Sequence, residues 1–380
     1  MKKIHILILM LFIIISYTKN SNAISVSITL PTSTNGAANA YLTNPANTAT
    51  LVNLLTTDIN NIIGNFGSLN QLSMGMSNAN SYSSGSSTLN GYQGYKIWAA
   101  TIGVLGTTQL NTYNINKLNT IFKSFADDGD IYLGLGAGAS ANIGIHIGHF
   151  AKSLDGLYVN LKFMYLPSIP LPLGSIGKIT PSNLTIGAGV NYQLVKKREW
   201  VGGLFGWNGL SIGAGFIYTN NDMRVELSKL GSISTLIPTT TYTFSISPNI
   251  DFLIKNNTFT IPIDFVTSIK LLWILNITAG IGFDFNFGST AITINNNNSL
   301  RVKDAAGVDA TLTPGSVNLS LNPTQPPAIF TPKLMLGLGL KIWAIVIDVP
   351  VTFYFPIHQN VPMSQSGIGF STGITIGAVW

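Results

Sequence analysis

Of 380 residues, only 9% are Asp, Glu, Lys or Arg, while 46% are hydrophobic and 38 are glycine. Roughly a quarter charged is usual for a soluble domain, so the composition excludes a charged disordered protein, a coiled coil and a nucleic-acid binder built on a Lys/Arg stripe. A chain so poor in charge turns much of its surface toward something other than water.

The chain opens Met1-Lys2-Lys3-Ile4-His5, continues with an apolar run from Ile6 to Ile15, and closes a polar stretch with Ser21-Asn22-Ala23. A positive start, a short apolar run and a small-x-small end are the marks of a secretory signal peptide, and the run is too short to span a bilayer. Residues 1–23 are therefore expected to be removed, leaving 357 residues with a formal charge of +3. With no cysteine in the chain, lipid attachment at an N-terminal thiol, disulfides and thiolate sites are excluded.

Residues 24–93 alternate poorly and form an expected N-terminal segment. After Asn44-Pro45-Ala46 come Leu51, Leu54, Leu55, Ile59, Ile62, Ile63 and Phe66 at spacings of three and four. This pattern predicts an amphipathic helix from Pro45 or Asn47. Its polar face lacks Lys and Arg, which disfavours an interfacial helix, so it is expected to plug a lumen or cap a mouth. The candidate plug residues are Asn44, Pro45, Ala46, Leu51, Leu55, Ile59, Ile62 and Phe66. A second helix is predicted at Ile115, Leu118, Ile121, Phe122 and Phe125.

From residue 94 to 380 the period changes to two. Leu210, Ile212, Ala214, Phe216 and Tyr218 oppose Ser211, Gly213, Gly215 and Thr219; Leu184 to Tyr192, Leu157 to Tyr165, Ile131 to Ile147, Leu271 to Phe287, Phe259 to Phe265, Leu334 to Ile342 and Ile345 to Phe355 behave alike. Two-faced strands build either a sandwich or a transmembrane barrel. The polar faces carry Gly, Ser, Thr and Asn rather than Lys and Glu, which suits a crowded barrel interior. No later stretch supplies a spanning helix. The expectation is an all-β protein, an antiparallel transmembrane β-barrel of about 12–14 strands with an N-terminal helical segment. Turns are expected at Thr219-Asn220-Asn221-Asp222, Lys255-Asn256-Asn257, Asn295 to Asn298, Asp304 to Gly307 and Asn322 to Pro332.

The last strand has Ile368, Phe370, Thr372, Ile374, Ile376, Ala378 and the terminal Trp380 on one face. This ending resembles the C-terminal strand of bacterial outer-membrane β-barrel proteins. The resemblance implies a location in the cell outer membrane, outer-membrane lipid as a partner, and a signal at Phe370, Ile374, Ile376 and Trp380 read by the barrel assembly machinery. Gly36-Ala37-Ala38-Asn39-Ala40-Tyr41-Leu42-Thr43-Asn44-Pro45-Ala46 resembles the start of FadL-type hydrophobic-substrate transporters, which implies a plug and passage of hydrophobic solutes. The Asn-rich loops on a Gly-rich barrel, behind a helical segment, resemble spirochaete-type outer-membrane surface adhesins. That layout implies a host-matrix ligand.

On the inferred lumen face the charged candidates are Lys96, Lys162, Arg224, Lys333 and Lys341 against Glu226, Asp251, Asp264, Asp284 and Asp348. Equal numbers argue against a strongly charge-selective pore, since such pores present one sign at the constriction. These groups either pair across the lumen, because confined charge is costly unless paired, or mark a ligand or ion path. His146 and His149 fall on opposite strand faces, and no Gly-x-Ser-x-Gly, His-Glu-x-x-His or phosphate loop occurs. The expectation is a barrel without catalytic residues, metal, cofactor or nucleic-acid partner. It passes small solutes, hydrophobic ones among them, through a plugged lumen, or it acts as a surface adhesin.

Overall fold

A computed structural model of the chain describes residues 24–64, 69–82, 95–110, 133–172, 177–227, 233–236, 241–246, 250–321, 324–358 and 367–380. The predicted signal peptide and the predicted helix at Ile115 to Phe125 lie outside these residues. Ten antiparallel strands close a barrel: β1 Trp98–Leu110, β2 Leu133–His146, β3 Leu157–Leu166, β4 Gly177–Val195, β5 Phe205–Leu227, β6 Ile250–Leu271, β7 Leu275–Lys303, β8 Phe330–Ile342, β9 Ile345–Tyr354 and β10 Ile368–Val379. Each pairs with the next, and β10 pairs with β1 from Ile368↔Leu110 to Val379↔Ala99, so no barrel edge is left open.

Ten strands replace the expected 12–14 for an identifiable reason. The asparagine clusters at Thr219 to Asp222, Lys255 to Asn257 and Asn295 to Asn298 are not turns; they lie inside the 23-residue β5, the 22-residue β6 and the 29-residue β7. Thr243–Ile246 form a short strand that pairs with the end of β7, outside the barrel wall. Conversely, the stretch from Leu271 to Phe287 is broken by a turn at Leu272-Trp273-Ile274, where Leu272 and Trp273 have φ of 52° and 62°. Left-handed bulky residues are costly, and no Gly or Asn announces this turn.

The outward faces form an apolar belt: Ile102 is 64% exposed, Ile281 63% and Ile374 58%. On β7 the belt runs from Leu275 to Phe287, about 40 Å along the strand and about 30 Å at a typical barrel tilt, enough for a hydrocarbon core. It ends along one register row, where Phe259 pairs with Phe287 and Tyr218. The next outward row is polar, and Asn257 Oδ1 accepts from Tyr218 OH at 3.1 Å and from Asn220 Nδ2 at 2.8 Å. Beyond it β5, β6 and β7 continue as a sheet that also pairs Gly315–Leu321 with β7 and Ile24–Thr29 with Gly315–Leu321.

The two ends of the barrel differ. At one end the turns are short, and all six tryptophans of the chain, Trp98, Trp200, Trp207, Trp273, Trp343 and Trp380, gather there, with Trp343 95% exposed. Tryptophan prefers the bilayer interface, where its ring is buried and its N–H stays wet. The long connections and the strand extensions lie at the opposite end.

Candidate functional site

Three helices precede the barrel: α1 Gly36–Thr43, α2 Pro45–Gly64 and α3 Leu69–Tyr82. The expected plug is α2, but α2 does not enter the lumen. Asn44 caps it, its Oδ1 accepting from Ala46 N at 3.0 Å, and Pro45 and Ala46 are exposed. Leu51 packs with Leu42 of α1 against Leu300 and Val302 in the extension of β7. Leu55, Ile59 and Ile62 continue α2, and Phe66 lies outside the described residues. An apolar stripe seeks an apolar surface, and the extension offers one where the lumen does not.

The lumen takes α3 instead, a helix with no charge and little apolar character. Every residue from Ser73 to Tyr82 is buried. Beside the buried Met74, Met76, Ala79 and Tyr82 it carries Ser73, Ser77, Asn78, Asn80 and Ser81, buried polar groups that call for hydrogen-bond partners, and the barrel interior provides several. Ser73 Oγ donates to Thr290 O at 2.6 Å, Asn80 Nδ2 to Thr258 Oγ1 at 2.9 Å and Tyr82 OH to Gln109 Oε1 at 2.8 Å. Thr107 Oγ1 donates to Ala79 O at 3.0 Å, and Ala328 N donates to Asn78 Oδ1 at 2.8 Å. Tyr82 stacks on Tyr354 with centroids 4.1 Å apart. The backbone of α3 meets β2 through two glycines: a Cβ at Gly134 would overlap the Gly75 carbonyl and stand 2.9 Å from Ala79 Cβ.

Asn78 also faces His358, which lies four residues past the end of β9, with Nδ2 3.1 Å from its Nε2. Because Asn78 Oδ1 is engaged by Ala328 N, the amide orientation is fixed, and His358 Nε2 must accept. Burial pushes the His358 imidazole down to about 4, which keeps it neutral and able to do so.

Below α3 the structure gathers four of the ten charged candidates. Lys333 Nζ lies 2.6 Å from Asp284 Oδ1 and 2.7 Å from Asp264 Oδ1, all three largely buried. Lys162 is within electrostatic reach of the same three groups. They border a cavity of about 60 Å³, room for about five waters. Its floor is Gly187, Gly189, Gly213 and Gly215, where β4 and β5 bring no side chain into the lumen. Asn142, Asn160 and Asn191 stand on its wall.

The other candidates are elsewhere. Lys341 points inward near the short-turn mouth, beside Lys197, Lys270 and Glu199, and Lys270 Nζ donates to Glu199 Oε1 at 2.9 Å. Asp348 is buried on the lumen face of β9 over Gly337. Lys96 is exposed at the short-turn end, where its amide donates to Trp380 O at 2.8 Å. Arg224, Glu226 and Asp251 are not in the lumen. They occupy outward positions of β5 and β6 past the belt, where Arg224 Nη2 meets Asp251 Oδ2 at 2.5 Å and Arg224 Nε meets Glu226 Oε1 at 3.3 Å. Charge on the lipid-facing parity is tolerated there because that stretch of strand stands in water.

Phe370, Ile374, Ile376 and Trp380 share the outward face of β10, and Trp380 N donates to Trp98 O at 2.8 Å where the barrel closes. A closed barrel, an apolar belt of bilayer height, an interfacial tryptophan ring and a polar lumen together define a transmembrane β-barrel of the bacterial outer-membrane type. Its sequence is more specific than its fold: the chain belongs to the Lsa36-like family, which it matches over residues 24–380. No curated protein matches it.

Among solved structures it is similar to the translocator domain of the autotransporter NalP from Neisseria meningitidis, at 8% identity and a TM-score of 0.33, covering 74% of this chain and 88% of that one. A Pseudomonas aeruginosa FadL homologue gives 8% identity, TM-score 0.27 and coverages of 81% and 96%. LpxR from Salmonella typhimurium gives 9%, 0.26, 74% and 100%. These are loose likenesses, and the class rests on the barrel's own features.

Proposed function

We propose that the protein is a gated outer-membrane barrel, exported by a signal peptide cleaved after Ala23 and delivered by the barrel assembly machinery. Its long-loop end faces outward, as is usual for such barrels, and α3 closes the lumen against passage of small solutes. The observation that carries this reading is the chemistry of the closure. Segments of lumen wall are held to α3 by hydrogen bonds at 2.6–3.1 Å, interspersed with the buried Met74, Met76 and Tyr82. Water can replace such bonds at a net cost of only about 1 kcal/mol each, so this polar part of the closure is readily exchanged for solvent, and exposure of Met74, Met76, Ala79 and Tyr82 adds the apolar part of the cost. The wall it covers is Gly, Ser, Thr and Asn, which suits small polar solutes better than the hydrophobic ones implied by the FadL resemblance.

Deleting Leu69–Tyr82 tests the reading. Liposomes carrying the folded deletion variant should swell in small sugars, whereas those carrying the full chain should not. A folded deletion variant that stays tight would refute gating by α3.

A second reading, surface adhesion, has its own observation. β5, β6 and β7 carry the sheet well past the belt, where polar Asn220, Asn257 and the Arg224–Asp251 pair face outward. A host-matrix ligand would be met there. Grafting Pro into the outer part of β6 should abolish adhesion to matrix-coated plates and leave permeability unchanged.

A further inference from the structure

The cavity beneath α3 is electrically lopsided. On one side Lys333 sits between Asp264 and Asp284, at 2.7 and 2.6 Å, so three groups sum to one net negative charge. On the other side, across the two intervening strands β4 and β5, Lys162 contributes one positive charge within electrostatic reach of that cluster. Between them lies the glycine floor on β4 and β5, where four positions present no side chain. The amides of Asn160 and Asn191 face this space, each about nine-tenths buried, and neither hydrogen-bonds to another described residue. The space thus holds a donor, an acceptor, a positive pole and a negative pole, with no bulk to fill the gap.

We propose that this cavity binds a small zwitterion carrying one ammonium and one carboxylate, of the size of glycine. The proposal rests on the passage reading and names the solute class for it. The carboxylate goes to Lys162, the ammonium to Asp264, and the asparagine amides take the remaining hydrogen bonds. A lone anion gains from Lys162 and meets the net negative cluster; a lone cation meets the reverse. A neutral polyol satisfies the amides and leaves the poles to water. Only a solute with both charges gains on both sides, and discrimination of this kind comes as much from the repulsion of wrong partners as from attraction. Size agrees: room for about five waters is room for about five heavy atoms.

The test uses the full chain in detergent micelles, titrated calorimetrically with glycine, glycerol, acetate and methylammonium. Glycine should saturate a single site, and the other three should bind at least about tenfold more weakly. Lys162→Met and Asp264→Asn should each weaken glycine binding about tenfold or more, the loss expected on removing one partner of a desolvated charge contact. Either variant can fail to fold, because each unbalances the cluster. Gly189→Ala therefore provides a second route: its Cβ would stand 3.2 Å from Ala214 O, a contact the wall can absorb, while occupying the floor. It should fold and lose glycine binding.

Glycine and glycerol binding alike, or glycine binding unchanged in all folded variants, overturns the site. Liposomes separate this from the passage reading. Glycine binding by the full chain, with no swelling of the Leu69–Tyr82 deletion variant, keeps the site and removes the passage. Swelling by that variant with no glycine binding keeps the passage and removes the site.

Discussion

Gly134 is the position where the closure is most open to attack. Its missing Cβ lets the α3 backbone lie directly on β2, and a Cβ there would overlap the Gly75 carbonyl and press on Ala79 Cβ at 2.9 Å. Gly134→Val therefore forces the helix away from β2 by on the order of 1 Å. Overpacking of this kind costs about 1–3 kcal/mol. The same retreat stretches the bonds from α3 to β1, Tyr82 to Gln109 at 2.8 Å and Thr107 to Ala79 at 3.0 Å, beyond useful hydrogen-bond length. Two bonds at about 1 kcal/mol each bring the total to roughly 3–5 kcal/mol.

Every 1.4 kcal/mol is tenfold in an equilibrium, so the open fraction should rise about 100-fold or more. Planar-bilayer open probability is the assay, with heat-modifiable gel migration to establish that the barrel is folded. Gly75→Ala is the control: its Cβ would rest at an ordinary 3.5 Å from Gly134 N, and the pore should stay closed. A folded Gly134→Val barrel as tight as the parent would refute the account of α3 as a closure seated on paired glycines.

Acid should loosen the same helix. His358 has its imidazole held down at about 4 by burial, below the ordinary value of about 6.5, so the closed state binds the proton less well than a state with α3 released. Closure is at full strength above pH ~6.5 and weakens by about 1.4 kcal/mol per pH unit down to ~4. Conductance should therefore rise between pH 6.5 and 4, and His358→Gln should flatten that dependence. Lys333→Met leaves Asp264 and Asp284 buried together without their shared cation, and should destabilise the barrel by about 3–5 kcal/mol, read as a fall in the midpoint of urea unfolding in micelles. Replacing Leu272-Trp273 by Asn-Gly puts residues suited to positive φ in the β6–β7 turn. It should raise stability in detergent by about 1–2 kcal/mol, while loosening the short-turn end in bilayers, seen as a greater tilt in oriented infrared spectra.

Much of the barrel was legible in the chain because period two is a local property. Which residues of β3, β4, β5 and β10 face lipid follows from alternation alone, and the tryptophan-ended last strand marks where the barrel closes. What lay beyond reach was the level of the bilayer. Asn220 and Asn257 look like turn residues in a strip of sequence, but they sit on strands that run on into water, and only the register row Tyr218, Phe259 and Phe287 says where lipid stops. The same missing boundary left Arg224, Glu226 and Asp251 assigned to the lumen, although they share the parity of the outward Tyr218 and Phe259.

The choice of helix turned on a partner rather than on the helix itself. An apolar stripe is the usual sign of a buried helix, and α2 has it, yet its surface match is the β7 extension at Leu300 and Val302. α3 carries Ser73, Ser77, Asn78 and Asn80, a pattern that by itself resembles a solvated segment, and it is buried because the barrel interior is polar too. The sequence by itself determined which face of each strand meets hydrocarbon, since that needs only neighbours two residues apart. The tertiary structure alone decided the number of strands, the helix that closes the lumen, and the meeting of Lys162, Asp264, Asp284 and Lys333. Each of those depends on groups far apart in the chain, brought together only when β10 pairs with β1 and the barrel closes.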